Sequence, residues 1–272
     1  MSPHNSSPQT WVEINWHSNA VRIEYQWVNS QLQDAPVLVF LHEGLGSLAM
    51  WRDYPQHLCE VLGVRGLVYS RPGYGKSTPR KTHEHWAPNF MHDQAHEVLP
   101  AVLNALQVHQ PPWLFGHSDG GSIALLFAAR YATAGVMALA PHIKVEEISI
   151  RNIAKAKQAY ENTDLRQRLT RYHQDVDSAF WGWNRVWLSP EFRSWSIESE
   201  LSSITCPVLA IQGVQDEYGT LAQIREIQHH VQHTQLLELD NCAHSPHRDQ
   251  PQALTQACVN FFQSQHIHTA QT

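Results

Sequence analysis

The sequence predicts an α/β fold built on a doubly wound, mostly parallel β-sheet, and two patterns along the chain indicate it. Short, nearly continuous apolar runs, as expected of strands covered on both faces, alternate with longer segments of helical periodicity. This alternation is typical of βα units arranged around a parallel sheet. With 272 residues, of which 42% are hydrophobic, the chain is long enough to bury a full core.

The elements follow in order from these patterns. Apolar and polar residues alternate over 11–18 and 21–28, which predicts an antiparallel hairpin at one edge of the sheet. Buried strands are then predicted at 35–42, 65–70, 113–118, 135–140, 207–213 and 234–239. Helices are predicted at 48–62, 89–106, 121–131, 220–231 and 252–265.

One long segment breaks this rhythm. Residues 141–203 contain amphipathic helical stretches and the aromatic patch FWGWNRVW (180–187), with no run typical of a buried strand. We therefore predict an α/β core formed by 1–140 and 204–272, and a helical cap, 141–203, inserted after the sixth strand.

Composition narrows the classes of protein. The net charge of −6 gives no reason to expect a nucleic-acid partner. The start of the chain combines no basic region with a long apolar run, so we expect neither a signal peptide nor a membrane anchor. Four cysteines without C-x-x-C spacing favour reduced thiols and a cytoplasmic protein. The oligomeric state is left open.

Nineteen histidines raise the question of a metal. Three groups have roughly the spacing of metal ligands, but no cysteine or carboxylate completes a recognised site. We therefore expect no metal ion and no cofactor. The groups are His83 with His85, His229 with His230 and His233, and His244 with His247.

Ser118 is the residue whose surroundings point most directly to chemistry. It lies in GHSDG (116–120), where a predicted strand passes directly into a predicted helix. A serine on such a sharp turn needs small neighbours two residues away for the turn to close. The helix N-terminus adds partial positive charge beside the hydroxyl. This pattern predicts a nucleophile.

A serine hydroxyl needs a base, and the base needs an orienting carboxylate. Asp216 follows the strand 207–213, and His244 follows the strand 234–239. Ser118, Asp216 and His244 thus occur in the chain order expected of a triad on this topology. The alternative acids are Glu217 and Asp240, and the alternative base is His247.

A tetrahedral intermediate also needs backbone N–H donors for its negative oxygen. We expect one from Asp119, directly after the nucleophile. The second is expected from Gly44, in the loop LHEGLGS (41–47) after an early strand.

Five motifs together resemble the α/β-hydrolase fold family, in its serine carboxylesterase-like branch. They are LHEGLGS (41–47), SRPGYGKS (70–77), GHSDGG (116–121), GVQDEYG (213–219) and CAHSPH (242–247). The resemblance covers nearly the whole chain, and it implies a hydrolase that needs no cofactor. A serine at the elbow argues against the haloalkane dehalogenase and epoxide hydrolase branches, which carry aspartate there.

Two positions depart from the family pattern. Glu43 stands where many members carry glycine, and Asp119 where many carry methionine, leucine or glutamine. Both place a carboxylate near the developing oxyanion. We expect these side chains to point away from it, toward the backbone or toward Arg52 or Arg71.

The predicted cap suggests a substrate. Residues 144–171 carry seven basic and four acidic residues, a local charge of +3, so an acidic partner could dock there through Arg151, Lys155 and Lys157. The hydrolases that cleave pimeloyl-acyl carrier protein methyl ester in biotin synthesis have similar machinery. The expected substrate is thus a small-molecule ester or a carrier-protein-bound ester. The residues expected to contact it are Glu43, Leu45, Trp181 and Trp187.

Other activities stay open at this point. The same machinery serves thioesterases, lactonases and C–C bond hydrolases. A binding protein on a hydrolase scaffold, and a lyase or oxygenase without a cofactor, belong to different classes.

Overall fold

The structure is a computed structural model, and it describes residues 10–81 and 84–269. His83, one of the histidines considered as metal ligands, lies outside the described residues.

The predicted α/β sheet is confirmed, with the predicted hairpin at its edge. Eight strands run in the order β1-β2-β4-β3-β5-β6-β7-β8. β1 and β2 are antiparallel to each other, β2 is antiparallel to β4, and all pairs from β4 to β8 are parallel. The strands are β1 (Thr10–Trp16), β2 (Asn19–Val28), β3 (Val37–Leu41), β4 (Arg65–Tyr69), β5 (Trp113–His117), β6 (Gly135–Leu139), β7 (Val208–Gly213) and β8 (Thr234–Leu239).

Helices flank the sheet on both faces. They are α1 (Tyr54–Leu62), α2 (Phe90–Asp93), α3 (Leu99–Ala105), α4 (Asp119–Ala128), α5 (Glu147–Asn162), α6 (Leu165–Leu169), α7 (Val176–Leu188), α8 (Glu198–Leu201), α9 (Ala222–His230), α10 (Pro246–Asp249) and α11 (Pro251–Thr269). A π-helical turn, Gln94–Val98, joins α2 to α3, and short 3₁₀ helices cover Leu48–Trp51 and Pro190–Ser194.

The helix predicted at 48–62 is divided in the structure. A 3₁₀ turn ends at Trp51, and α1 begins only at Tyr54. Between them Arg52 has φ 56° and ψ −130°, a backbone conformation that no helix can continue through.

The sheet buries side chains on both faces, which explains the unbroken apolar runs. Successive residues of a strand point to opposite faces. On β5, the fully buried Leu114 packs with Ile123 of α4, whereas its neighbour Phe115 packs with Cys258 of α11 on the other side.

The boundary of the cap stays a prediction, but the chain between β6 and β7 is helical, containing α5 to α8. His173, between α6 and α7, fixes this segment to two loops of the sheet. It accepts a hydrogen bond from the Gly75 amide through Nδ1 (3.0 Å) and donates from Nε2 to the Leu45 carbonyl (3.0 Å). The helical segment therefore lies over the loop expected to supply an oxyanion donor.

None of the helices in the described part of the chain combines the length and the apolarity needed to cross a membrane.

Candidate active site

Ser118 occupies a strained turn between β5 and α4. Its φ of 54° and ψ of −121° lie in a backbone region that residues other than glycine rarely adopt. Its amide donates to the Leu139 carbonyl of β6 at 2.8 Å. The turn needs both flanking glycines. A Cβ at Gly116 would overlap the Gly120 backbone, and a Cβ at Gly120 would overlap the Leu41 carbonyl. The prediction of tight packing around the serine therefore has a concrete basis.

The structure brings the three predicted triad residues together. Asp216 lies in the loop after β7, and His244 lies in the loop after β8. His244 Nδ1 donates to Asp216 Oδ1 at 2.8 Å, and the Ser118 hydroxyl lies 3.0 Å from His244 Nε2. This order of hydrogen bonds leaves Nε2 free to accept the serine proton.

Asp216 is held by groups of its own loop and strand. Its Oδ1 also accepts from the Tyr218 amide (2.8 Å), and its Oδ2 accepts from Gln212 Nε2 (3.0 Å). Burial raises the pKa of Asp216, but the charge and hydrogen bond of His244 and the Tyr218 amide outweigh it, so the pKa falls below its ordinary value. These contacts therefore favour the ionised carboxylate of Asp216.

The alternative acids and the alternative base are placed elsewhere. Asp240 is exposed, and the Glu217 carboxylate accepts from the His244 amide (3.3 Å) rather than from its ring. His247 is buried beside His117, with ring centroids 5.0 Å apart.

The electrostatic state of His244 follows from the same contacts. Burial lowers the pKa of His244, but the charge and hydrogen bond of Asp216 raise it, and the net pKa lies above its ordinary value. A base with a raised pKa holds the transferred proton more firmly.

The Asp119 side chain lies beside a buried cation, Arg71, one of the partners expected for it. Its Oδ2 lies 4.0 Å from Arg71 Nη2, and its Oδ1 accepts from Trp187 Nε1 at 3.2 Å. Burial raises the pKa of Asp119 to about 6, although Arg71 and the Trp187 N–H act in the opposite direction. The carboxylate is thus poorly solvated and only partly compensated.

Glu43 pairs with other partners than those expected. Its Oε2 lies 3.6 Å from His117 Nδ1, and its Oε1 lies 3.7 Å from Arg248 Nη2. The part of Glu43 that Arg71 contacts is the backbone carbonyl, at 2.9 Å, and not the carboxylate. Burial raises the pKa of Glu43, but His117 and Arg248 hold it well below its ordinary value. Arg52 is not among these partners.

A small cavity of about 120 Å³ opens above the triad. Trp183 covers its oxyanion side so closely that a Cβ on Gly44 would overlap the indole. Of the expected contacts, Trp181 does not line the cavity and packs on Tyr160 and Phe180 instead. The residues that line it are Glu43, Gly44, Leu45, Ser118, Asp119, His142, Ile153, Trp183, Trp187, Tyr218 and His244.

Sequence reasoning named neither His142 nor Ile153 as part of the site. His142 follows β6, and its ring lies 5.9 Å from that of His244. Ile153 is on α5, and its only signal was an apolar position in an amphipathic helix. On the same helix, Arg151, Lys155 and Lys157 are exposed.

The one group of potential metal ligands in the described residues lies apart from this cavity. It consists of Glu198, Glu226 and His230, whose ligand atoms lie within 4.8 Å of one another. Glu198 already accepts from Lys144 Nζ at 2.8 Å. Of the histidines considered as metal ligands from the sequence, His230 is the one that belongs to this group.

Comparisons with known proteins agree with this fold. A model of the alpha/beta hydrolase family matches residues 38–257, and the chain belongs to this family. No curated protein matches the chain.

Several solved structures are similar over nearly the whole length. An esterase from Thermogutta terrifontis is 17% identical, with a TM-score of 0.71, and the match covers 96% of this chain and 100% of that one. The enol-lactonase from Burkholderia xenovorans LB400 is 20% identical, with a TM-score of 0.69 and coverages of 89% and 97%. A meta-cleavage product hydrolase from Pseudomonas fluorescens IP01 is 14% identical, with a TM-score of 0.65 and coverages of 93% and 97%. At these identities the likeness shows the fold.

Proposed function

We propose that this hydrolase cleaves a small carboxylic ester through an acyl-enzyme on Ser118. The observation that carries the proposal is the chain of hydrogen bonds from Asp216 through His244 to Ser118, opening on a small cavity.

The reaction follows from these contacts. Ser118 Oγ attacks the ester carbonyl while His244 Nε2 takes its proton, and ionised Asp216 stabilises the imidazolium. As the tetrahedral intermediate collapses, the carbon–oxygen bond to the alcohol breaks and His244 gives that proton to the leaving alkoxide. His244 then deprotonates a water molecule, which attacks the acyl carbon. The bond from that carbon to Ser118 Oγ breaks, His244 returns the proton to Oγ, and the acid is released.

The developing oxyanion is assigned to two backbone amides. Asp119 is the first residue of α4, a position whose N–H has no acceptor within the helix. Gly44 borders the same cavity, beside Ser118. These features support the amides of Asp119 and Gly44 as the donors.

The cavity limits the substrate. A cavity of about 120 Å³ favours a short acyl group. Among the described residues, two carboxylates, Glu43 and Asp119, and no lysine or arginine line it. A free carboxylate on the acyl chain would lack a counter-charge there, so the substrate is a short ester without an acidic acyl end.

A carrier-protein-bound methyl ester is the more specific version of this proposal. Arg151, Lys155 and Lys157 support it, because they are exposed on the helix whose Ile153 lines the cavity. A carrier protein bound to these basic residues would therefore lie near the cavity. The size of the cavity opposes it, because a seven-carbon pimeloyl chain would extend well beyond about 120 Å³. We therefore place the short neutral ester first.

Hydrolysis of p-nitrophenyl acetate, butyrate and octanoate by wild type and Ser118→Ala tests the proposal. We expect acetate or butyrate to be preferred, and Ser118→Ala to lose activity and labelling by a fluorophosphonate probe. Ser199→Ala, an exposed serine on α8, is the matched control and should behave as wild type. Activity that survives in folded Ser118→Ala would overturn the proposal. If wild type is labelled by the probe but leaves all three esters intact, a panel of lactones, thioesters and C–C substrates follows.

A further inference from the structure

A second cleft, of about 400 Å³, shares no lining residue with the catalytic cavity. Its lining residues come from 50–57 on one side, and from α10 and the start of α11 on the other.

The side chains around this cleft favour a negative ligand. Among the residues that the structure describes, Arg52 and Arg248 both line it, and Asp53 is the only acidic residue that does. In the same part of the chain Arg52 has no ion-pair partner, and Arg248 has Glu43 at 3.7 Å. A guanidinium group is well suited to bind phosphate or carboxylate through two parallel hydrogen bonds.

Two helix N-termini end at the same cleft. α1, of nine residues, begins at Tyr54, and α11, of nineteen residues, begins at Pro251; both of these residues line the cleft. The dipoles of both helices place partial positive charge at the cleft. Asp53 directly precedes α1, and Pro55 and Pro251 have no N–H to donate, so the helix ends add little beyond this charge.

The backbone of Arg52 adds an independent observation. Its φ of 56° and ψ of −130° are close to the 54° and −121° of Ser118, the strained nucleophile. A conformation that favours glycine costs free energy when an arginine adopts it. Arg52 is exposed, so burial of its side chain does not account for an arginine at this position.

From these features we infer that the cleft is a binding site for a small molecule, held through an oxyanion group that is either a phosphate or a carboxylate. Arg52 and Arg248 bind the anionic oxygens. The 400 Å³ of the cleft exceed the volume of a single phosphate, so the anion is one part of a larger molecule.

Calorimetric titration of the whole protein with inorganic phosphate, and separately with acetate, at constant ionic strength tests the inference. We expect saturable binding to one site, and the tighter of the two anions identifies the oxyanion. Arg52→Gly should weaken this binding at least about tenfold, since a charge-assisted hydrogen bond is lost. It should also raise the melting temperature, because glycine relieves the strain. The loss of binding would then be separated from any loss of folding.

Two further variants complete the design. Arg225→Gln removes an exposed arginine of α9 that pairs with Glu238 of β8. This variant should bind the anion as wild type does. Ser118→Ala should retain binding, so that failure of the proposed esterase activity leaves this inference intact. Absence of saturable binding for both anions, an unchanged Kd in Arg52→Gly, or loss of binding in Ser118→Ala would each overturn it.

Discussion

Asp119→Asn tests the electrostatics of the site through the stability of the whole protein. Asp119 is 1% exposed, and burial raises its pKa from 3.8 to about 6 despite the nearby Arg71. Each pKa unit corresponds to about 1.4 kcal/mol of differential stability between the two protonation states. Ionisation of Asp119 should therefore cost the folded state about 3 kcal/mol relative to the unfolded state at pH 8.

The sign follows from the direction of the shift. The folded-state pKa is the higher one, so the contribution is fully present below the unfolded value of 3.8 and is lost as the pH rises through about 6. Between pH 5 and pH 8, wild type should lose about 1.4 kcal/mol of unfolding free energy that the variant keeps. The side chain of asparagine resembles the protonated carboxyl and does not titrate.

Urea unfolding of both proteins at a series of pH values measures this difference. The variant also removes the counter-charge of Arg71, a buried cation, and this lowers its stability by an amount that does not follow the titration of residue 119. The test is thus the pH dependence of the difference between the two proteins, and not its absolute value. Asp240→Asn, at an exposed aspartate, is the control and should show no such dependence. A difference that stays constant from pH 5 to 8 would refute the reasoning.

Three further predictions concern catalysis. The acid limb of the kcat/KM profile should lie above pH 6.5, because His244 must be neutral to act and its pKa is raised. Asp216→Asn should move this limb to lower pH and reduce kcat, because the variant removes the carboxylate that raises the pKa of His244. A limb at or below 6.5 in wild type would contradict this assignment. Trp183→Ala should shift the preference among p-nitrophenyl esters toward longer acyl chains, because it opens the cavity wall, whereas Trp181→Ala should leave the preference unchanged. Equal shifts in both variants would argue against the assigned lining. Glu43→Gln should change kcat by less than about threefold, and a many-fold increase would show that the native charge opposes the chemistry.

Much of the sheet could be predicted because burial on both faces leaves a direct trace in sequence. The strand predicted at 113–118 is β5, Trp113–His117, and the alternation of Leu114 and Phe115 between two apolar layers explains its pattern. The break at Arg52 could not be predicted. Nothing in the local sequence marks an arginine with positive φ, since that conformation depends on the packing of the surrounding loops.

The proximity of Ser118, Asp216 and His244 was predictable because chain order and topology are linked. In a parallel sheet the carboxyl ends of the strands meet at one edge, so Ser118, Asp216 and His244 had to be near one another if the strands were right. The partners of the two unusual carboxylates carry no such signal. Arg248 reaches Glu43 from a helix about two hundred residues later in the chain, and only the folded structure shows this contact.

These partners explain how two carboxylates can border a site that we propose develops negative charge. Asp119 has Arg71 beside it, and Glu43 has Arg248. Glu43 also connects two loops, because His117 donates from Nε2 to the His244 carbonyl at 2.7 Å while its Nδ1 faces Glu43 at 3.6 Å. In the proposed mechanism a catalytic group must be fixed closely in place to act, so Glu43 contributes by helping to hold His244 in position. The nearby cations reduce, without cancelling, the repulsion between the two carboxylates and an oxyanion.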